Sequence, residues 1–335
     1  VTTTENKPPL PDSESVGDGG RGPVFADRFA AITDNIEKVI KGKPDVIHLL
    51  VLALVCDGHV LVEDVPGIGK TSLGKALARS VDGVFGRVQF TPDLLPADVT
   101  GTSVYNRGDG SFEFRPGPVF SDVLLADEIN RASPKTQSAL LEAMGERQVT
   151  VDGVTRDLGS PFIVIATQNP IEHEGTYPLP ESQLDRFLMR LVVGYPDRRA
   201  EEEILLTRGD HEPVNDIGPV TTAEEIRRMT ATLRSIHVAP PLRSYLIDLA
   251  DATRRHPSLS LGLSPRAILA LQRVCRAQAA SAGRAYVTPD DVKSLAPVVM
   301  PHRLVTTPET RMRGIRAQDV VTEILDGVPV PREAH

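Results

Sequence analysis

The 335-residue chain is long enough for two ordinary domains, and its 40% hydrophobic and 24% charged content is that of a globular protein. A net charge of −8 disfavours nucleic acid as the main partner, since phosphate backbones call for a basic face. Cys56 and Cys275 lie far apart without a CxxC neighbour, the eight histidines lack metal-site spacing, no secretory signal opens the chain, and no apolar run approaches the ~20 residues that span a bilayer. The expectation is a cytoplasmic protein, not integral to a membrane, with two reduced buried thiols.

Residues 1–24 are rich in Pro, Gly, Ser, Thr, Asp and Glu and are expected to be disordered, with order beginning near Val24. Phe29, Ile32, Ile36, Val39 and Ile40 then recur at helical spacing; Gly42 closes that helix and Pro44 opens a second, to about Cys56. His59 to Glu63 read as a short strand, followed by a Gly-rich loop and a helix marked by Leu73, Ala76, Leu77 and Val81. Short apolar strands recur at 88–90, 123–126, 162–166 and 191–193, a pattern that suits a parallel sheet covered on both faces. Two hairpins interrupt it, at 102–115 with a Gly-Asp-Gly turn and at 147–157 with the type I′ signal Asp152-Gly153. Between them a helix at 134–145 carries the stripe Leu140, Leu141 and Met144. After Pro196 strands give way to helices at about 197–209, 222–234, 240–255, 264–282, 288–297 and 316–326. The expected division is a disordered segment (1–24), an α/β core (25–200), a linker (201–218) and an all-α domain with a short tail (219–335).

The stretch EDVPGIGKTSL at 63–73 ends as a phosphate loop should, in Gly69, Lys70 and Thr71, but Asp64 stands where the pattern G-x-x-x-x-G-K-[ST] opens on glycine. Asp64 falls at the strand end, several residues from the Gly69 N–H, and can point away or cap a turn, so the loop reads as intact. Backbone N–H groups from Gly67 to Thr71 would wrap phosphates, Lys70 would neutralise the β- and γ-phosphates, and the Thr71 hydroxyl would bind Mg²⁺. The bland alternative is a chance Gly-rich turn. VLLADEINR at 123–131 weighs against that, because it is an apolar strand ending in Asp127-Glu128, 57 residues after Lys70. Asp127 would hold Mg²⁺ through water and Glu128 would polarise an attacking water, which implies hydrolysis and not binding alone. Three further residues each have two readings. Asn169, ending FIVIATQN, either contacts the γ-phosphate or the attacking water, or merely turns the chain before Pro170. Arg186, in PESQLDRFLMR, either stabilises transition-state charge across a subunit boundary or forms a surface ion pair. Arg266, in LSPRAIL, either serves a nucleotide or simply starts a helix.

Taken together these segments resemble the AAA+ ATPases, and within them the MoxR family, over about residues 25–330. The specific pieces are VEDVPGIGKT, FTPDLLPADVTG, LLADEINRASPKTQSALLEAMGERQVTVDG, ATQNPIEHEGTYPLPESQLDRF and LSPRAIL. The resemblance implies an α/β P-loop NTPase (AAA+) core with a parallel sheet and inserted β-hairpins, followed by an all-α lid domain. It implies ATP and Mg²⁺ as ligands. Pro66, Gly67, Ile68, Gly69, Lys70, Thr71 and Ser72 would form the nucleotide loop, and Ile40 and Gly42 would flank adenine. Asp127 and Glu128 would take the Walker B roles, Asn169 that of sensor 1, Arg266 that of sensor 2 and Arg186 that of the arginine finger, with Arg131 a second inter-subunit candidate. The hairpins would face the pore of a hexameric ring. A ring of this kind would remodel or mature an unknown client protein with a von Willebrand factor A-domain partner. The competing readings are a chelatase-like motor subunit, a nucleic-acid motor and a non-hydrolysing switch. The acidic charge argues against the nucleic-acid motor, and Glu128 and Arg186 argue against the switch.

Overall fold

The computed structural model describes residues 21–63, 67–108, 110–169, 175–207 and 212–331. The expectations for 1–20, Asp64 and Pro66 lie outside those residues. The described chain opens on α1 (Arg21–Glu37), three residues ahead of the expected start, and α2 (Pro44–Val55), which deliver it to β1 (Val60–Glu63). There follow α3 (Lys70–Ser80), β2 (Phe85–Gln89), α4 (Pro96–Thr100) and the hairpin of β3 (Gly101–Asn106) and β4 (Ser111–Pro116). Next come β5 (Val123–Asp127), α5 (Pro134–Glu146), the hairpin of β6 (Gln148–Val151) and β7 (Val154–Asp157), β8 (Ile163–Gln168), α6 (Glu181–Leu184) and β9 (Met189–Leu191). The rest comprises α7 (Arg198–Thr207), α8 (Ala223–Thr232), α9 (Pro240–Arg255), β10 (Leu259–Leu261), α10 (Pro265–Ser281), α11 (Pro289–Val299), β11 (Val305–Thr306), α12 (Pro308–Met312) and α13 (Ala317–Gly327).

Five parallel strands form the central sheet in the order β2-β5-β8-β1-β9. Its inner strands β1, β5 and β8 read as apolar runs because alternate residues enter two different cores. Val60, Val62, Val123, Leu125, Ile163 and Ile165 join the cluster built with α1, α2 and α3, whereas Leu61, Leu124, Ala126, Val164 and Ala166 join the one built with α5. Helix α2 is buried from Leu50 to Val55 without a break, since α1 covers one side and α8 and α10 cover others. The first core therefore runs without interruption from α1 into α10, α11 and α13.

Local chemistry sets the element ends. Asp152 and Gly153 have φ of +53° and +76°, as a type I′ turn requires. Thr222 with Glu225 and Thr288 with Asp291 form capping boxes, and Ser133 and Ser264 cap α5 and α10. Three expectations shift. The strand expected at 88–90 is β2, ending at Gln89; that expected at 191–193 is β9, two residues earlier. Strands do not vanish after Pro196, for β10 pairs antiparallel with β11. Within 201–218, residues 201–207 continue α7, and Val214 and Ile217 are buried. Among the described residues no helix is long and apolar enough to cross a membrane.

Candidate active site

Parallel strands bring the sequence motifs to one edge of the sheet. The loop follows β1, the acids end β5 and Asn169 follows β8, so all lie at the carboxyl ends of adjacent strands, where open α/β sheets bind ligands. Gly67 and Gly69 have φ of +86° and +88°, and a β-carbon on either would meet open space, so backbone conformation rather than crowding calls for glycine there. Gly69 is the N-cap of α3, and the positive end of that helix faces the loop. A cavity of about 230 Å³ is lined by Gly67, Gly69, Lys70, Thr71, Arg87, Gln89, Asp127, Glu128, Thr167 and Asn169. Ser72 is half-buried one residue further into α3.

A second cavity of about 350 Å³ shares Gly67 and Gly69 with the first; Val39, Ile40, Ile68, Tyr195, Ile204 and Leu205 give it a mainly apolar wall, which Lys41, Lys43 and Glu201 also line. An apolar slot beside an anion cradle suits a base next to its phosphates. Gly42 does not line this slot. It has φ of +69° and lies so close to Ala200 that a β-carbon would come within 2.7 Å of the Ala200 side chain; its role is to fold the α1–α2 turn against α7.

Asp127 and Glu128 are held in different ways. Asp127 is buried; its Oδ1 accepts from the Thr167 hydroxyl at 3.1 Å, and its Oδ2 accepts from Arg87 Nη2 at 2.8 Å and Nε at 3.0 Å. The Thr167 oxygen also accepts from the Glu128 N–H at 2.8 Å, which stitches β8 to the end of β5. Glu128 has left-handed backbone angles (φ 55°, ψ 50°) immediately after β5, a conformation that costs a non-glycine residue about 1–3 kcal/mol and clusters at functional sites. Its Oε2 accepts from Gln89 Nε2 at 2.8 Å and from Arg131 Nη1 at 3.0 Å. Arg87, Gln89 and Thr167 were not among the residues expected from sequence. A period-2 reading of a strand ending at Gln89 would have put Arg87 and Gln89 on one face, beside the acids.

Arg186 and Arg266 lie elsewhere. Both line a third cavity of about 480 Å³, with Asp57, His59, Arg147, Asp185, Arg273 and Arg303 among its other walls, and neither lines the phosphate cavity. Arg186 Nη1 donates to the Leu141 carbonyl at 2.7 Å and lies across Gly145, where a β-carbon would come within 2.0 Å of that nitrogen. Arg131, the other candidate for action in trans, is paired to Glu128 of its own chain.

Near this third cavity the buried histidines and thiols are neutral, whereas Arg303 is ion-paired with Asp185. His59 accepts the Val164 N–H on Nδ1 at 3.0 Å and donates from Nε2 to the Met144 carbonyl at 3.1 Å, and burial pushes its imidazole down to about 4. Burial likewise drives His302 well below the usual histidine range. It raises the thiols, Cys56 to about 12 and Cys275 well above the ordinary value, so both are inert.

Two family profiles match separate stretches of the chain. The profile described as "ATPase family associated with various cellular activities (AAA)" matches residues 59–189, and that of an AAA lid domain matches 251–324. The chain is 49% identical over 298 residues to the uncharacterized protein YeaC of Bacillus subtilis, covering 89% of this chain and 93% of that one. It is 41% identical over 306 residues to Chaperone MoxR1 of Mycobacterium tuberculosis, with 89% and 81% covered, and 32% identical over 335 residues to Protein MoxR of Methylorubrum extorquens, with 92% and 96% covered. A crystal structure from Cytophaga hutchinsonii matches with a TM-score of 0.86 at 36% identity, covering 93% of this chain and 97% of that one. With a phosphate loop, paired acids and a following helical region in this order, and relatives of this identity along most of its length, the chain belongs to the MoxR family of AAA+ ATPases.

Proposed function

We propose that the chain hydrolyses ATP with Mg²⁺ at the cavity around Lys70, as one protomer of a head-to-tail ring. The observation that carries the ring is the separation of Arg186 and Arg266 from their own chain's phosphate cavity. A site with a cradle and a water-activating carboxylate, whose own Arg87 and Arg131 are engaged by Asp127 and Glu128, matches, on its neighbour, a surface with arginines but no cradle.

The donor set fits Mg²⁺. No group of three or more His, Cys, Asp or Glu among the described residues could hold a metal alone, and Mg²⁺ takes one or two protein oxygens together with phosphate oxygens and waters. Thr71 offers a hydroxyl in the cavity. Asp127 Oδ1 keeps acceptor capacity beside the Thr167 bond, while Oδ2 takes both Arg87 bonds. Bound there, Mg²⁺ would neutralise phosphate charge. The chain's own residues do the rest. The loop N–H groups and Lys70 bind the phosphates, Glu128 orients and polarises the water, and Asn169 holds that water or the γ-phosphate. Arg186 and Arg266 of the adjacent protomer meet the charge that builds on the transferring phosphoryl group.

The work served is remodelling or maturation of a client protein, with a von Willebrand factor A-domain partner. Support for the client class is the likeness to a protein named as a chaperone. The β3–β4 hairpin also exposes Phe112 and Tyr105, an apolar tip suited to gripping polypeptide. Specific ATPase activity should rise steeply with protein concentration; a flat profile would refute the ring. Glu128→Gln protein, pulled from source cells with ATP beside Lys70→Ala, should retain an A-domain protein and its client. Recovery of nucleic-acid-processing proteins alone would favour the motor reading.

A further inference from the structure

Arg303 is the most deeply buried charge where the helical region meets the core, with 3% of its side chain exposed. It follows α11, yet it bonds chiefly to the core strip that carries Arg186. Its Nε donates to Asp185 Oδ1 at 2.8 Å, its Nη2 to the Phe187 carbonyl at 2.7 Å, and its Nη1 to the Leu188 carbonyl at 3.1 Å and to the Val299 carbonyl. His302 donates from Nε2 to the same Phe187 carbonyl at 3.0 Å. Arg186 is thus flanked on both sides by residues that one buried guanidinium holds.

The same carboxylate reaches the second arginine. Asp185 Oδ2 accepts from the Ser264 hydroxyl at 3.4 Å, and Ser264 Oγ in turn accepts from the Ala267 N–H as the cap of α10, whose first turn contains Arg266. Asp185 therefore joins the strip bearing Arg186, the helix start bearing Arg266 and the turn after α11. A buried ion pair seldom stabilises a fold more than apolar packing would, and its best-attested use is to fix one geometry among several.

We propose that the Asp185–Arg303 pair is a positioning device that holds Arg186 and Arg266 as one unit, so that core and helical region present both arginines together to the neighbouring protomer. This rests on the trans reading above. Arg303 acts through Arg186 and does not itself touch nucleotide.

The test is Arg303→Met, which keeps the volume, and Arg303→Lys, which keeps the charge. Four quantities are read: affinity for a fluorescent ATP analogue, kcat, KM, and turnover after mixing with Glu128→Gln protein, whose arginines are intact. For Arg303→Met we expect kcat to fall about 10- to 100-fold, the cost of misplacing a charged group by about an ångström, with affinity and KM within about twofold. Excess Glu128→Gln protein should restore turnover, Arg303→Lys should recover part of it, and Arg303→Met should cost less than about threefold further in an Arg186→Ala background. Parallel loss of affinity, no rescue in mixtures, or a full further loss on top of Arg186→Ala would overturn the proposal. Should Arg303→Met fail to fold, Asp185→Asn and Ser264→Ala must give the same signature more weakly, and their absence of effect on kcat would overturn it equally. Wild-type turnover in Arg186→Ala would sink the trans reading and this proposal together. Loss in Arg186→Ala with full activity in Arg303→Met would sink this proposal alone.

Discussion

The phosphate cavity and the arginine cavity are built on opposite plans. The first is assembled from the carboxyl ends of neighbouring parallel strands, so backbone pairing fixes its residues; Gln89 faces Asp127 in the ladder between β2 and β5. The second lies at the seam between core and helical region, and its arginines are fixed by side-chain bonds from distant parts of the chain, such as Arg303 to Asp185. Backbone-built sites keep their geometry when one side chain changes. A seam held by side chains can be released by a single substitution, and it shifts if the helical region moves. The contrast suits a division of labour in which binding is fixed and the trans contribution is adjustable.

The largest test separates binding from turnover inside the first cavity. Lys70→Ala should abolish ATP binding, whereas Glu128→Gln should bind ATP normally and lose turnover by about 10²–10³-fold. Wild-type hydrolysis by Glu128→Gln would remove Glu128 from the chemistry. Next, Arg186→Ala should lower kcat by about 10³-fold at unchanged affinity; a loss of affinity instead would place Arg186 in its own chain's site. A smaller effect is expected at Gly145. Alanine favours a helix over glycine, by less in a last turn than the roughly 1 kcal/mol of an interior position, but here its β-carbon would strike the Arg186 guanidinium. Gly145→Ala should therefore cut kcat about tenfold without weakening ATP binding. Improved stability with full turnover would show that the Arg186 seat is not needed.

The smallest effect is on stability. His59 is neutral in the fold, with its pKa lowered to about 4 from 6.5. The unfolded chain therefore takes up a proton that the folded chain refuses as pH falls from 6.5 toward 4. Stability present above pH 6.5 is lost across that window, by about 3 kcal/mol. Urea titrations should show this loss in wild type and a shallower one in His59→Gln; equal slopes would reassign the pH dependence to other groups.

The same contrast explains what could be read from the chain. Continuous apolar runs such as 123–126 and 162–166, too short for helices and bounded by loops, read as buried strands, and the phosphate loop and the paired acids are spelled locally. The type I′ turn at Asp152-Gly153 is likewise a local signal. The seam is not local. Arg303 lies 118 residues from Asp185 and in isolation looks like any arginine after a helix, and Gly145 looks like a poor helix former until Arg186 is laid across it. Strands β10 and β11 are three and two residues long, too short for a periodic pattern, and pair across more than forty residues. Arg87 and Gln89 were missed because the strand was placed a little late, which hid their shared face.

The central claim is that the two cavities complete each other across protomers. Its most direct test mixes Lys70→Ala protein, which keeps its arginines, with Arg186→Ala protein, which keeps its phosphate loop, each inactive alone. Random assembly of a head-to-tail ring leaves about one interface in four with both intact halves, so an equal mixture should recover about a quarter of the wild-type rate. No recovery at any mixing ratio would contradict the account.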